Sequence, residues 1–263
     1  FCWVMTLNAP TFSKYVFFLL FQGCLACFTG SAQSSFVEYQ KSFSRVSKAF
    51  ANREDTLKKQ FAAKKLAWPA NYVYIRSFKY NSDLQVWVKN KLTDTFSLFK
   101  SYRICALAGT MGPKRMEGDY QVPEGFYYIN EFNANSTYHL SLGLNYPNPS
   151  DKLLADSMKP GGEIYIHGSC VTVGCIPLTD PLIEELYILS TYARGAGQEF
   201  IPVHIFPAKY REARSAEYLE KVYSADPSLK TFEANLRRVY DFFEDNRRLP
   251  VVAVSPKGEY IFY

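Results

Sequence analysis

Residues 163–180 read EIYIHGSCVTVGCIPLTD and place a histidine and a cysteine on either side of a short turn. The apolar run Ile164 to Ile166 predicts a strand that ends at His167, and Gly174 directly precedes Cys175. A histidine close enough to share a proton with a cysteine makes a thiolate available as a nucleophile. A glycine before the cysteine lets backbone amides turn toward a developing oxyanion. This stretch therefore predicts a nucleophilic cysteine site.

Two other interpretations of the same residues stay open on spacing alone. A single cysteine or histidine is most often a packed core residue. His167, Cys170 and Cys175 also form a set of imidazole and thiolate groups that suits zinc. Elemental analysis of the purified protein distinguishes a zinc site from a free nucleophile.

The motif resembles the signature of the L,D-transpeptidase catalytic domain family (YkuD-like), which has His-Gly, a gap, Ser or Thr, one residue, and Gly-Cys. Here these residues are His167-Gly168 and Thr172-Val173-Gly174-Cys175. Most of the family has a longer gap, a second histidine where this sequence has Val173, and an arginine where it has Ile176-Pro177. The compact form resembles the YafK-like murein L,D-transpeptidase branch, which includes a hydrolase that releases a wall-attached lipoprotein.

The resemblance implies a fold and a role for each residue of the motif. The implied fold is of the α+β class, a mostly antiparallel, sandwich-like β structure with peripheral helices. Cys175 is the implied nucleophile, His167 is its base, and the carbonyl of Gly168 orients the imidazole. The amides of Val173, Gly174 and Cys175 are the implied oxyanion donors. The resemblance implies no metal and no other cofactor.

The implied substrate is a peptidoglycan stem peptide, which the thiolate attacks at a carbonyl on the L-centre side of diaminopimelate to give a thioester. An amine then yields a cross-link, as in a transpeptidase, whereas water yields hydrolysis. A wall-attached protein is a further candidate partner, and we expect the protein to act as a monomer. Because the family's arginine is absent, a non-catalytic wall-binding module stays open as an alternative function.

A glycine-rich loop at residues 109–119, GTMGPKRMEGD, follows the first predicted strands. It lacks the strand-to-helix context and the Lys-Ser or Lys-Thr pair of a phosphate-binding loop. By resemblance, Lys114, Arg115 and Thr172 are candidate substrate contacts, and the two cations would bind a peptide carboxylate by charge-assisted hydrogen bonds. The alternative is that both cations are solvated loop charges.

Residues 1–32 have the order of a secretory signal peptide. Lys14 precedes the largely apolar run Tyr15 to Phe28, and small residues follow as far as Ala32. We expect cleavage after Ala32 and export to the periplasm or cell envelope. The net charge of +5 is spread along the chain, so nucleic-acid binding has little support.

The remaining chain is predicted to contain an N-terminal helix and one catalytic domain. Apolar residues recur every three or four positions from Ser35 to Leu66, which predicts one amphipathic helix packed on the domain that follows. From Tyr72 the apolar period changes to two, which predicts antiparallel strands. We assign residues 33–70 to the N-terminal helix and residues 71–263 to an L,D-transpeptidase-like domain.

Three cysteines follow the predicted cleavage site, at Cys105, Cys170 and Cys175. An oxidising compartment disfavours idle thiols. The resemblance implies that Cys175 is the free thiol, which makes Cys105 and Cys170 the candidate pair. A bridge from Cys170 to Cys175 that silences the enzyme until it is reduced is the competing interpretation.

Cleavage of the predicted signal peptide determines the N-terminus of the mature protein. N-terminal sequencing of the protein from its native host is expected to begin near Gln33, because the small residues before it form the cleavage site. A mature chain that begins at Phe1 or Met5 would contradict export by this route.

Overall fold

The alternating apolar residues after Tyr72 form strands of one central sheet. The computed structural model describes residues 31–156, 159–224 and 226–263. Its strands are β1 Tyr72–Phe78, β2 Asp83–Lys89, β3 Ser97–Arg103, β4 Gly125–Asn133, β5 Ser141–Leu144, β6 Tyr165–His167, β7 Ile176–Pro177, β8 Ile201–Phe206, β9 Val252–Val254 and β10 Tyr260–Phe262. The first eight form a sheet of order β3-β2-β1-β8-β4-β5-β6-β7, and β9 pairs with β10.

Antiparallel pairing dominates this sheet. β1, β2 and β3 form the meander that the sequence predicted. β8, β4, β5 and β6 are also antiparallel neighbours. Parallel pairing joins β1 to β8 and β6 to β7. The predicted α+β class, mostly antiparallel with peripheral helices, is confirmed.

The helices lie before, between and after these strands. They are α1 Ser31–Lys41, α2 Ser44–Ala63, α3 Pro149–Leu153, α4 Asp180–Gly195, α5 Ala213–Ser224 and α6 Pro227–Asn246. The side chains of α4 from Ile183 to Leu189 are buried, and both α1 and α2 pack against this helix. Within the described ranges, no helix is long and apolar enough to cross a membrane. Residues 1–30 of the predicted signal peptide lie outside the described residues.

The single helix predicted from Ser35 to Leu66 is wrong in one respect, because the chain breaks it into α1 and α2. Phe43 has an extended backbone with φ −78° and ψ 124°. The hydroxyl of Ser42 donates to the carbonyl of Tyr39 at 2.7 Å, which competes with continuation of the helix. Val46, Phe50 and other apolar side chains of α2 are buried, whereas Tyr39 of α1 is exposed.

The helices α5 and α6 and the hairpin of β9 and β10 form a C-terminal layer. α6 begins after Asp226, whose carboxylate accepts a hydrogen bond from the amide of Ser228 at 2.9 Å. α5 was not predicted, although Leu219 and Tyr223 give it a buried face. Together with Phe206 and the hairpin, these helices form a second apolar cluster beside the main core.

A buried ion pair fixes the glycine-rich loop against this layer. Lys79 Nζ lies 3.0 Å from Glu124 Oε1, and both side chains are almost fully buried. Lys79 also donates to the carbonyls of Gly112 and Val122, at 3.1 Å and 3.0 Å. Glu124 accepts from the amide of Gly112 at 2.7 Å. Both backbone groups of Gly112 are therefore held by one pair of opposite charges.

Loss of one partner in this pair is expected to destabilise the whole domain. Glu124→Leu should lower the free energy of unfolding by about 3–5 kcal/mol in urea, because the Lys79 ammonium is left buried without a counter-ion. The double variant with Lys79→Met should recover part of this loss. Glu217→Gln, which removes the exposed partner of Lys221, serves as the control and should leave stability unchanged. A loss below about 1 kcal/mol for Glu124→Leu would contradict the argument.

Candidate active site

β6 and β7 bring the predicted histidine and cysteine to one face of the sheet. The two strands are parallel, with Ile166 opposite Ile176. This register places Cys175 beside Tyr165, whose amide donates to Cys175 Sγ at 3.4 Å. Side chains two positions apart on a strand share a face, so His167 lies on the same face as Tyr165. His167 and Cys175 accordingly line one cleft of about 470 Å³.

The connection between these two strands consists of residues 168–175 only. Parallel neighbours ordinarily need a crossover of about a dozen residues or more. A Cβ on Gly168 would lie 2.7 Å from the carboxylate of Asp180 and 2.8 Å from the carbonyl of Tyr138. Gly174 has φ +145°, and a Cβ there would lie 3.1 Å from the carbonyl oxygen of Gln121. The short turn therefore requires glycine near both of its ends.

The imidazole of His167 is held in one tautomer and one orientation. Its Nδ1 lies 2.5 Å from the carbonyl oxygen of Gly168, and a carbonyl can only accept, so Nδ1 carries the proton. The ring of Tyr138 packs over the imidazole with centroids 4.7 Å apart. Burial lowers the pKa of His167, against an opposing effect of the Gly168 carbonyl. His167 is thus neutral near pH 7, with Nε2 available to accept a proton.

The thiol of Cys175 is half-buried and partnered by backbone groups. Its Sγ donates to the carbonyl of Glu163 at 3.6 Å and accepts from the amide of Tyr165. Burial raises the pKa of Cys175, and the nearby charge of Glu163 raises it further. The Tyr165 amide and the charge of Lys114 act in the opposite direction. The resting group is therefore a thiol that needs a base.

The three amides predicted as oxyanion donors differ in their partners. The amide of Gly174 donates to Thr172 Oγ1 at 3.1 Å, and that hydroxyl in turn donates to the carbonyl of Cys175 at 2.8 Å. Among the described residues, the amides of Val173 and Cys175 have no hydrogen-bond acceptor. Thr172 thus stabilises the turn, and two of the three predicted donors have no acceptor among the described residues.

Cys105 and Cys170, the other two cysteines that follow the predicted cleavage site, are joined to each other. Cys105 and Cys170 form a disulfide with their Cα atoms 5.5 Å apart, and Cys175 is free. These are the two cysteines that the sequence analysis paired, and the alternative bridge from Cys170 to Cys175 is not the one present. Because Cys170 is in the disulfide, it has no thiolate that could bind zinc. His167, Cys170 and Cys175 therefore cannot act together as zinc ligands.

The structure does not bring both candidate substrate-binding cations to the Cys175 cleft. Lys114 is buried, donates to the carbonyl of Met116 at 2.8 Å and forms an ion pair with Asp119. Arg115 instead lines a separate cleft of about 700 Å³. There its guanidinium lies 3.7 Å from Asp151 and packs over the ring of Phe232. Both cations therefore form ion pairs with carboxylates of the protein itself.

Tyr138 and Glu163 line the cleft but were not identified from the sequence. Tyr138 precedes β5 in a stretch without a recognisable motif, yet it covers the imidazole of His167. Glu163, the first residue of the stretch 163–180, takes the left-handed backbone conformation with φ +55°. A charged residue beside Ile164 is the signal that could have pointed to Glu163.

The remaining histidines form hydrogen bonds to structural partners, His139 to Glu184 at 3.0 Å and His204 to Tyr74 at 2.8 Å.

Comparison with known proteins agrees with the motif. The family described as "L,D-transpeptidase catalytic domain" (YkuD) matches residues 80–205. The chain is 34% identical over 191 residues to "Putative L,D-transpeptidase YafK" of Escherichia coli K12, across 72% of this chain and 73% of that protein. The protein of the same description from Escherichia coli O157:H7 matches with the same identity and coverage.

Solved structures are also similar over most of the chain. The helical cell shape determining protein Pgp2 from Campylobacter jejuni has 17% identity and a TM-score of 0.41, over 70% of this chain and 73% of that one. Bd1075 of Bdellovibrio bacteriovorus has 19% identity and a TM-score of 0.39, over 71% of this chain and 78% of that one.

The resting protonation state of Cys175 has a measurable consequence. The rate of alkylation by iodoacetamide is expected to rise with pH through an apparent pKa above the ordinary thiol value of about 8.5, because burial disfavours the thiolate. The Cys175→Ser variant of the chain that begins at Gln33 is the control and should show no labelling, since Cys105 and Cys170 are in a disulfide. An apparent pKa well below 8.5 would show that a thiolate and imidazolium pair exists before substrate binds.

Proposed function

The chain belongs to the L,D-transpeptidase catalytic domain family, and we propose that it is an exported cysteine enzyme that acts on peptidoglycan stem peptides through a thioester at Cys175. Family membership supports a peptidoglycan-modifying enzyme of the cell wall. The observation that carries the finer proposal is the parallel register of β6 and β7, which sets Cys175 and His167 on one face of a single cleft. We place the active site in residues 71–263 and expect a monomer in the periplasm or cell envelope.

The first half-reaction begins with proton transfer. His167 Nε2 takes the proton of Cys175 Sγ while the sulfur attacks the carbonyl carbon on the L-centre side of diaminopimelate. The carbonyl oxygen becomes an oxyanion that the amides of Val173 and Cys175 receive, at about 3 kcal/mol per donor. Collapse breaks the carbon–nitrogen bond, and the leaving amine takes the proton from His167. A thioester remains on Cys175.

The second half-reaction reverses these roles. An acceptor amine attacks the thioester carbonyl and gives a proton to His167, which returns it to the departing sulfur. The product is a new amide, which is a cross-link if the amine belongs to another stem peptide. Water in place of the amine gives a carboxylate and completes hydrolysis. Transfer requires the acceptor to be held against the thioester while water is excluded.

We place transpeptidation slightly ahead of hydrolysis. The rings of Tyr138 and Tyr165 line the cleft beside the thiol and supply apolar surface that could hold an acceptor chain. One observation favours a hydrolase of the same fold. Lys114 is paired with Asp119 and Arg115 faces the other cleft, so the carboxylate of an acceptor lacks the cation that would bind it. Hydrolysis of peptide or peptidoglycan–protein links is therefore the second candidate.

Product analysis separates these candidates. Wild-type protein is incubated with tetrapeptide muropeptides and with cell wall that carries a covalently attached protein, and the products are identified by mass. We expect new dimers with loss of a terminal D-alanine. Release of attached protein without dimers would instead support hydrolysis. His167→Ala should lower the rate about 10²- to 10⁴-fold, because the general base is lost.

Cys175→Ala is the matched control for both assays, because it removes the nucleophile and leaves the Cys105–Cys170 disulfide in place. Products that form equally well with Cys175→Ala, or no products from the wild-type protein in either assay, would overturn the enzymatic proposal.

A further inference from the structure

The cleft around Cys175 carries negative charge and no positive charge from its own lining. Among the described residues that line it, Glu163 is the one carboxylate, and none is lysine or arginine. Most of the other lining side chains are neutral amides, hydroxyls and aromatic rings, such as Asn133, Thr137 and Tyr165. The sign of the charge that a substrate meets in this cleft is therefore set by Glu163.

Glu163 lies directly beside the reacting sulfur. Its carbonyl oxygen accepts from Cys175 Sγ at 3.6 Å. Its side chain lines the same cleft as the thiol of Cys175 and the phenol of Tyr165, and its negative charge raises the pKa of both groups. The side chain of Glu163 is exposed. A ligand that enters the cleft can reach the carboxylate without any rearrangement of the chain.

The backbone at Glu163 is held in an unfavourable conformation. Its φ of +55° lies in the left-handed region, which disfavours residues other than glycine. Gly161, two residues earlier, also has a positive φ of +86°. The chain therefore bends sharply where it presents Glu163 to the cleft.

The charged groups near Glu163 already have ion-pair or hydrogen-bond partners within the protein. Lys114, the cation whose charge acts on Cys175, is buried and bound to Asp119. Glu131 accepts a hydrogen bond from the hydroxyl of Tyr165 at 3.0 Å and adds a second negative charge near the cleft. Neither group neutralises the carboxylate of Glu163, which leaves it available to a cation of the substrate.

We propose that Glu163 is a specificity-determining residue that binds the side-chain ammonium group of the diaminopimelate residue whose L-centre carbonyl is attacked. The same charge disfavours a ligand that presents only a carboxylate at this position. This inference rests on the proposed function, since it names the charge that the peptide substrate must carry. An exposed ion pair of this kind contributes little to binding, and a partly desolvated one contributes more.

The test compares two tetrapeptide muropeptides that differ only in the side-chain amine of diaminopimelate, which is free in one and acetylated in the other. For the wild-type protein, kcat/KM for Cys175-dependent thioester turnover is expected to be about 3- to 10-fold higher with the free amine. Glu163→Gln should bring this ratio to about one, and Glu163→Asp should keep most of it. Glu217→Gln, on the surface of α5, is the control and should keep the wild-type ratio.

The ratio separates specificity from the other effect of this charge. Glu163→Gln should also lower the pKa of Cys175, but this change accelerates both peptides equally and cancels in the ratio. If Glu163→Gln does not fold, the wild-type ratio measured from about 0.05 M to about 0.5 M salt serves instead and should fall toward one. A ratio that Glu163→Gln leaves unchanged, or that salt leaves unchanged, would overturn the role of Glu163 alone. Absence of Cys175-dependent turnover with either peptide would overturn the proposed function together with it.

Discussion

The parallel pairing of β6 with β7 is the constraint on which the rest of the active site depends. The chain leaves β6 at His167 and returns beside the same strand within residues 168–175. So short a return requires backbone conformations that glycine adopts, and Gly168 and Gly174 stand where a side chain would meet neighbouring groups. The compact spacing between histidine and cysteine is therefore a consequence of this turn. A residue inserted between them would change the register that sets Cys175 beside Tyr165.

Burial acts on the two reacting groups in opposite directions. It raises the pKa of Cys175 and lowers the pKa of His167, so both shifts favour a neutral thiol and imidazole over a thiolate and imidazolium. The sequence analysis predicted a thiolate as the reacting species, and that role stays a prediction. The two pKa shifts keep the proton on sulfur at rest. In the proposed mechanism the proton is therefore transferred only as a substrate carbonyl is attacked, when the amides of Val173 and Cys175 would receive the developing negative charge.

The sequence predicted the elements whose determinants are local. The antiparallel pairing of β1, β2 and β3 follows from the apolar period of two that begins at Tyr72. The break at Ser42 and Phe43 was missed because the apolar pattern continues through it. The directions of Lys114 and Arg115 also could not be read from the sequence. Lys114 pairs with Asp119 of the same loop, and Arg115 lies beside Asp151, which only the folded chain brings near.

The structural role of the glycine-rich loop could not be predicted from the types of its residues. Its Gly112 is held by Lys79 and Glu124, and the side chain of Gln121 closes the loop through the amide and carbonyl of Thr110, both at 2.8 Å. The carbonyl of Gln121 then faces Gly174 at the turn before Cys175. The loop thus packs against the turn that precedes Cys175.

Ile176 and Pro177 stand where most of the family has arginine, and both have structural roles. Ile176 is almost completely buried, and the carbonyl of Pro177 accepts from the amide of Cys105 at 3.2 Å. An arginine at Ile176 would place a charge in the core, at a cost of several kcal/mol. The buried isoleucine at this position and the internal pairing of Lys114 therefore leave the described lining of the cleft without lysine or arginine. The one carboxylate of that lining, Glu163, carries the charge on which the proposed selection of the ligand depends.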